Sequence, residues 1–199
     1  QWNYTTGADI EASATLGDTD QDGTIEVLIG SWDNKVYALN GENGTLQWEF
    51  TTGHAVECTP SLGDIDGDGT MEVIVGSFDN KIYALNGDNG TVQWSYLTLG
   101  SIHSSPAIGD INGDNATEIV VGSMDGTCYA LNGEDGSSLW NYTTGNQIIS
   151  SPALWDVDMD GFMDVAIGSD DSNLYVLNGN NGTEKWHFST NGIVYSSPT

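Results

Sequence analysis

The chain repeats itself every 46 residues, and this repetition leaves few folds open to it. Tryptophans, loop aspartates, tyrosines and the only four prolines all follow the 46-residue step. The repeated positions are Trp2, Trp48, Trp94, Trp140 and Trp186; Asp18, Asp64, Asp110 and Asp156; Tyr37, Tyr83, Tyr129 and Tyr175; and Pro60, Pro106, Pro152 and Pro198. No insertion or deletion disturbs the register. Equivalent repeats of this kind indicate supersecondary units that meet their neighbours in the same way.

Each repeat reads as four short β-strands. In the second repeat, "HAVECTPSLGD" carries alternating apolar positions, and "MEVIVGS" is a β-branched run typical of a strand buried on both faces. The strands "KIYALN" and "VQWSY" follow, after turns rich in Asn, Asp and Gly that favour hairpins. The sequence therefore predicts an all-β fold, a β-propeller of four-stranded antiparallel blades. The alternative, an Ig-like sandwich, does not repeat internally at this period.

The blade boundaries follow from the repeat. We expect a single propeller domain or propeller fragment, with complete blades at 8–53, 54–99, 100–145 and 146–190. Two surplus segments flank them, an outer strand at 1–7 and the inner strand of a further blade at 191–199. A closed four-bladed ring has no place for both, so we expect a slice of a larger propeller. Pairing of these segments with another molecule is the alternative.

One acidic loop recurs in every repeat, between the first and second strands. Its copies are "DTDQDGTIE" (18–26), "DIDGDGTME" (64–72), "DINGDNATE" (110–118) and "DVDMDGFMD" (156–164). Ca²⁺ takes about six to eight oxygen ligands. Acids at loop positions 1, 3, 5 and 9 and the carbonyl of position 7 would supply them, and Gly at position 6 permits the sharp bend.

We therefore predict that the loops bind up to four Ca²⁺ ions, one per blade. The predicted ligands are Asp18, Asp20, Asp22, Thr24, Glu26, Asp64, Asp66, Asp68, Thr70, Glu72, Asp110, Asn112, Asp114, Ala116, Glu118, Asp156, Asp158, Asp160, Phe162 and Asp164. The third loop departs furthest from the pattern, because Asn112 replaces an acid and Asn115 replaces the Gly. An EF-hand would need Glu at position 12. That position is apolar in all four repeats, which excludes an EF-hand.

The charge of the chain restricts its partners. Twenty-nine acidic residues face three lysines and no arginine, which gives a formal net charge of −26. Such a surface repels nucleic acids and anionic lipids, and it lacks the guanidinium groups that grip phosphate. No apolar run is long enough to cross a bilayer. We expect no nucleic-acid partner and no membrane insertion. Bound cations or a saline habitat would account for the acidity.

The motifs resemble two groups of propeller repeats. The D-x-D-x-D-G-x-x-[DE] loop is similar to the FG-GAP/VCBS repeat of integrin α-subunit propellers and many microbial surface proteins. The segments "NKVYALNGENGTLQWEF", "NKIYALNGDNGTVQWSY" and "GTCYALNGEDGSSLWNY" are similar to PQQ-like, quinoprotein-type repeats. These resemblances imply that Ca²⁺ loops stabilise the blades and that a Trp docks neighbouring blades. They also imply that partners bind elsewhere on the propeller face.

No motif for nucleophilic catalysis, phosphate binding or redox chemistry stands out. A quinoprotein dehydrogenase would need a vicinal Cys pair, whereas Cys58 and Cys128 are far apart in sequence. Two positions differ between repeats and are therefore candidates for specific contacts. They are the inner-strand position Glu11, Glu57, His103, Ile149 and Tyr195, and the turn position Trp32, Phe78, Met124 and Asp170. The first could line the central channel and the second a ligand-facing surface; packing between blades is the alternative for both.

The sequence thus predicts an extracellular or cell-surface calcium-stabilised propeller that acts as a binding, adhesion or structural module and not as an enzyme. Its ligand would be a protein or a glycan, and the unpaired terminal strands would allow a homo-oligomer. Two alternatives stay open at this point: part of a polysaccharide-active, lyase-like enzyme, and a self-assembling surface-layer or filament component.

Overall fold

The fold is built from β-sheet alone. The computed structural model describes residues 1–199 and contains sixteen β-strands and no helix. The strands form four antiparallel sheets, and each sheet uses four consecutive strands. The predicted all-β propeller architecture, with one four-stranded blade per repeat, is confirmed. None of its elements is a helix of the length and apolarity that crossing a membrane would require.

The strand bounds repeat with the sequence. The first blade has β1 (Thr15–Gly17), β2 (Glu26–Ser31), β3 (Lys35–Asn40) and β4 (Leu46–Thr51). The second has β5 (Ser61–Gly63), β6 (Glu72–Gly76), β7 (Lys81–Asn86) and β8 (Val92–Leu97). The third has β9 (Ala107–Gly109), β10 (Glu118–Gly122), β11 (Thr127–Asn132) and β12 (Ser138–Thr143). The fourth has β13 (Ala153–Trp155), β14 (Asp164–Ser169), β15 (Asn173–Asn178) and β16 (Glu184–Ser189).

The core lies between the blades. The second strand of a blade is buried on both faces, as in β6, where all five residues are buried. Its β-branched run reflects this position, because such side chains pack well on a pleated surface. Three apolar clusters of ten buried residues each join the first blade to the second, the second to the third and the third to the fourth. Each blade is therefore stabilised mainly by its neighbours.

The innermost strand is shorter than the sequence predicts. We expected a strand across residues 54–64, but only Ser61–Gly63 pairs with β6. Pro60 has no N–H to donate to a ladder. The preceding residues use their donors between blades instead: the N–H of Val56 donates to the carbonyl of Ser31 (3.1 Å) and that of Thr59 to Ser105 Oγ (2.9 Å).

Tryptophan docks each blade on the next. The indole N–H of Trp48 donates to the carbonyl of Gly87 in the second blade at 2.8 Å, and Trp94 makes the same bond to Gly133 at 2.7 Å. Both rings are buried. Trp186, at the equivalent position of the fourth blade, is 47% exposed and donates no such bond. The docking role implied by the resemblance is thus visible in the geometry.

The four blades form an open arc. The inner strands contact one another in the order β1, β5, β9 and β13, and no apolar cluster joins the fourth blade to the first. The segments 1–7 and 191–199, predicted as an outer and an inner strand, form no regular strand here, since no further strand lies beside them. They nevertheless keep the repeat contacts: the indole N–H of Trp2 donates to the carbonyl of Gly41 at 2.9 Å.

The two cysteines are free thiols. Cys58 belongs to the cluster between the first two blades and Cys128 to the cluster between the last two. Burial raises the pKa of each thiol to about 12. Both therefore behave as small apolar core residues and not as nucleophiles or metal ligands.

Candidate metal loops and the opposite face

All four acidic loops lie at the same end of the blades. Each loop connects the first strand to the second, and its position-9 acid is the first residue of the second strand, paired for example as Glu72 with Gly63. In an antiparallel four-stranded sheet, the hairpin from the third to the fourth strand lies at this end too. The turn from the second to the third strand lies at the other end. We call these ends the loop face and the turn face.

The first loop position is anchored by the glycine at position 6. The N–H of Gly69 donates to Asp64 Oδ2 at 3.0 Å, and that of Gly161 donates to Asp156 Oδ2 at 3.0 Å. Gly69 has a φ of 89°, a left-handed conformation that is easy for glycine. In the third loop Asn115 adopts a φ of 67° and still donates to Asp110 Oδ2 at 3.0 Å. The replacement by Asn therefore preserves the bend.

The acid at position 9 is buried, and its two carboxylate oxygens have different hydrogen-bond partners. Glu72 accepts the N–H of Ile65 on Oε2 at 3.1 Å, while Oε1 faces Thr70 and the side-chain amide of Gln93 (3.1 Å). Glu26 and Glu118 are also fully buried and accept the equivalent N–H. Burial raises the pKa of Glu72 and of Glu118, since neither carboxylate is well solvated.

Carboxylates converge in three of the four loops. Oxygens from three acids lie within 4.8 Å of one another in the first, second and fourth loops. These groups are Asp18, Asp20 and Asp22; Asp64, Asp66 and Glu72; and Asp156, Asp158 and Asp164. In the first loop, Asp18 Oδ1 is buried and has no hydrogen-bond partner. An unpartnered buried carboxylate oxygen among other hard oxygens is a donor set that fits Ca²⁺.

The third and fourth loops differ from the first two. In the third, the side-chain amide of Asn112 donates to Glu118 Oε1 at 3.1 Å, so its nitrogen is turned toward the acid. In the fourth, the ammonium group of Lys185 lies 2.7 Å from Asp158 Oδ2 and 2.7 Å from Asp164 Oδ1. Residues at position 7, such as Thr70, donate their N–H to the position-5 acid, and the role predicted for their carbonyls stays a prediction.

The turn face brings the two variable positions together. Phe78 lies 5.7 Å from His103, 6.0 Å from His54 and 6.3 Å from Trp32, measured between ring centroids. We call these four residues the aromatic patch. Trp32 is 43% exposed. The two positions were predicted separately, and His54 was not among the predicted residues. Its contact became visible only with the fold.

His103 of the aromatic patch is paired with a carboxylate. Glu57 Oε1 lies 2.8 Å from His103 Nε2, and the Glu57 side chain is 12% exposed. Burial raises the pKa of Glu57, His103 lowers it, and the nearby carboxylate of Glu11 raises it, with a net upward shift. Three of the five predicted inner-strand residues are therefore neighbours. The structure records no contact of Ile149 or Tyr195 with them, and Tyr195 is 55% exposed.

Three residues near the loops were missed at first. They are Gln47, Gln93 and Lys185, which occupy one position on the fourth strand of a blade and reach the loop acids of their own repeat. The signal was present in the repeat alignment, where the only lysine at this position accompanies the only loop that ends in Asp instead of Glu.

Comparison with solved structures shows the fold. BamB from Moraxella catarrhalis is 19% identical and matches with a TM-score of 0.61 over 96% of this chain and 68% of that chain. Sqt1 from Saccharomyces cerevisiae is 16% identical and matches with a TM-score of 0.79 over 97% of this chain. The match covers 52% of Sqt1, so this chain spans about half of its length. With 1177 matching chains, the fold is too widespread to indicate a function.

Comparison with protein-family models assigns the chain to a family. The model described as lambda-carrageenase beta-propeller domain matches residues 106–154, about a quarter of the chain. No curated protein sequence matches. The quinoprotein-type resemblance has no counterpart among these models and stays a prediction. The model described as FG-GAP-like repeat matches residues 18–75 and 64–121. Because these matches together span just over half of its residues, the chain belongs to the FG-GAP-like repeat family.

Proposed function

We propose that the chain is a calcium-stabilised extracellular binding or adhesion module. Ca²⁺ would stabilise the loop face, and a protein or glycan ligand would contact the turn face. The observation that carries this proposal is that the two ends of the blades carry different kinds of residues. The loop face carries an acidic loop in every blade, whereas the turn face gathers two positions whose residues differ from blade to blade.

Electrostatics supports the calcium part. Fifteen of the 29 acidic residues lie in the four loops. Carboxylates held within a few ångströms repel one another, and burial of the position-9 acid adds a desolvation cost. A divalent cation offsets both, and it gives the unpartnered Asp18 Oδ1 a ligand role. Extracellular modules bind Ca²⁺ at roughly 10⁻⁴ to 10⁻³ M, which favours a location outside the cell.

Chelation tests this part. We expect excess EDTA to lower the Tm markedly and added Ca²⁺ to restore it, because an ion that binds only the folded chain shifts the equilibrium toward folding. Asp66→Asn should weaken the calcium response, since Asp66 belongs to the converging group of the second loop. Asp9→Asn, at an exposed acid on the turn face, is the control and should leave it unchanged. Equal melting curves with and without EDTA would contradict the calcium proposal.

The aromatic patch supports the binding part. Exposed aromatic rings beside polar groups that fix orientation are typical of ligand-binding surfaces. Here Glu57 and His103 supply the polar groups, and Trp32 supplies the exposed ring. A packing role between blades would leave the rings buried, as Trp48 and Trp94 are. The exposure of Trp32 therefore favours contact with a ligand.

Affinity electrophoresis in gels that contain defined soluble polysaccharides tests for a glycan ligand. We expect at least one polysaccharide to retard the chain and Trp32→Ala to reduce the retardation. Trp186→Ala, which changes a comparably exposed tryptophan outside the patch, is the control. If no polysaccharide retards the chain, or both variants behave alike, the ligand is not a glycan bound at the patch.

A polysaccharide-active enzyme is the second candidate. The match of residues 106–154 to a lambda-carrageenase propeller domain favours it, and so does the Glu57–His103 pair, because a carboxylate with a raised pKa beside an imidazole can exchange protons. We expect depolymerisation of a polysaccharide, measured as new reducing ends, to be lost in Glu57→Gln. Activity that survives this substitution would rule out the pair as its catalytic group.

A further inference from the structure

The fourth acidic loop already contains a cation of its own. The Lys185 ammonium group lies 2.7 Å from Asp158 Oδ2, 2.7 Å from Asp164 Oδ1 and 3.6 Å from Asp160 Oδ2. The Lys185 side chain is only 15% exposed, so it is directed into the loop and not into solvent. Three carboxylates at loop positions 3, 5 and 9 thus share one ammonium group.

The repeat shows that this arrangement is particular to the fourth blade. Lys185 is the second residue of β16, and the second residues of β4, β8 and β12 are Gln47, Gln93 and Leu139. Gln47 and Gln93 also reach the position-9 acid, at 3.3 and 3.1 Å, but they carry no charge. The position therefore faces the loop acids in three blades and is cationic in one.

The position-9 acid changes together with the lysine. It is Glu26, Glu72 and Glu118 in the first three loops and Asp164 in the fourth. Aspartate is one methylene shorter, so its carboxylate reaches less far from the strand. The ammonium group of Lys185 occupies the space in front of it, and Asp164 Oδ1 has no hydrogen bond besides this ion pair. A long cationic side chain paired with a shortened acid makes a complementary set.

We propose that Lys185 replaces Ca²⁺ in the fourth loop, so that this loop stays folded without a metal ion. The inference rests on the proposed calcium binding of the other loops. An ammonium group and a Ca²⁺ ion repel each other, and both need the same oxygens of Asp158 and Asp164. Calcium would therefore occupy the first two loops, and the third as far as its amide allows, but not the fourth.

Each loop can be followed separately by NMR. The position-6 amides of Gly69 and Gly161 lie in the second and fourth loops and bond to the first acid of their own loop. During a titration with CaCl₂, we expect the Gly69 amide to shift and the Gly161 amide to stay in place. Lys185→Gln, which installs the residue found at the same position in two other blades, should make Gly161 respond and add one ion to the stoichiometry. Lys35→Gln, away from the loops, is the control.

A second measurement tests the role of Lys185 in the absence of calcium. In EDTA, Lys185→Gln should accelerate hydrogen exchange of the Gly161 amide, because the three carboxylates lose their cation. Lys35→Gln should not. If Gly161 of the unmodified chain responds to CaCl₂ as Gly69 does, the inference is wrong. If neither amide responds in any variant, the calcium proposal fails, and the exchange experiment alone decides whether Lys185 holds the loop.

Discussion

At the scale of single residues, Glu72 shows how burial in the fold changes the acidity of a candidate metal ligand. Burial raises its pKa, the N–H of Ile65 lowers it, and the carboxylates of Asp66, Asp68 and Asp64 raise it. Without a metal ion, the folded chain therefore binds the Glu72 proton more tightly than the unfolded chain does. Stability of the metal-free chain is then gained as the pH falls through the raised pKa of Glu72 toward its ordinary value, and lost as the pH rises back through the raised pKa.

We expect the Tm in EDTA to rise when the pH is lowered from about 7 to about 5, because the raised-pKa glutamates take up protons in the folded state. Glu72→Gln should reduce this rise, and Glu42→Gln, on an exposed hairpin, should not. Calorimetry at both pH values measures the difference. An equal rise in both variants would mean that general charge repulsion, and not Glu72, causes the dependence.

Calcium should oppose this pH dependence of the Tm. Protons and Ca²⁺ compete for the same carboxylates, so the gain in Tm from a fixed Ca²⁺ concentration should shrink as the pH falls. A gain that is independent of pH would indicate that the ion does not bind the loop acids. The same calorimetric series, repeated with CaCl₂, checks this expectation.

At the scale of elements, the fourth strand of each of the first three blades carries a tryptophan that bonds to the next blade. The Trp94 indole is buried and its N–H donates to the carbonyl of the buried Gly133. A Cβ added at Gly136 would lie 2.6 Å from the Trp94 ring, so the ring lies directly against that glycine's backbone. Glycine is required there both for this approach and for its φ of 69°.

We expect Trp94→Phe to destabilise the chain by about 1–3 kcal/mol, because the carbonyl of Gly133 loses its donor inside the core. Trp186→Phe is the matched control, since Trp186 stands at the same repeat position but is 47% exposed and unbonded. Its effect should stay within about 0.5 kcal/mol. Urea unfolding of both variants measures the difference, and equal losses would contradict the docking role.

At the scale of the whole molecule, the open arc leaves two unequal ends. In the first three blades a glycine on the first strand makes room for the next blade: a Cβ added at Gly17 would meet Leu62 at 2.6 Å, and one at Gly109 would meet Leu154 at 3.2 Å. The equivalent residue of the fourth blade is Trp155, which is 74% exposed and lines a cavity of about 440 Å³. A further blade that docked here as the first four dock on one another would meet this side chain.

We expect the chain to self-associate through this apolar end at high concentration, because exposed apolar surface of this kind favours contact with another molecule. Static light scattering over a concentration series should show the mass rising, and Trp155→Ser should reduce the rise. Leu99→Ser, which removes an 87% exposed side chain elsewhere, should not. A constant monomer mass, or equal effects of both substitutions, would contradict this expectation.

The strands of the blades could be predicted because the same pattern of strands and turns occurs four times in the sequence. The strands "KIYALN" and "VQWSY" coincide with β7 (Lys81–Asn86) and the first five residues of β8 (Val92–Leu97). The inner strand was predicted too long. Backbone N–H groups of residues 54–59 donate hydrogen bonds to adjacent blades, and a local sequence pattern does not indicate a bond between blades. Periodicity therefore predicts what a residue does within its own blade better than what it does between blades.

The sequence by itself determined the propeller architecture, the acidic loops and the tryptophan step, because each is a local pattern that must recur for equivalent blades to stack. Only the tertiary structure decided that His54, Phe78 and His103 form one surface, and that Lys185 lies among the acids of the fourth loop. These residues are separated by about 20 to 30 positions along the chain. The aromatic residues meet because the turns of neighbouring blades lie at one end of the fold, and Lys185 meets the acids because β16 begins beside the fourth loop.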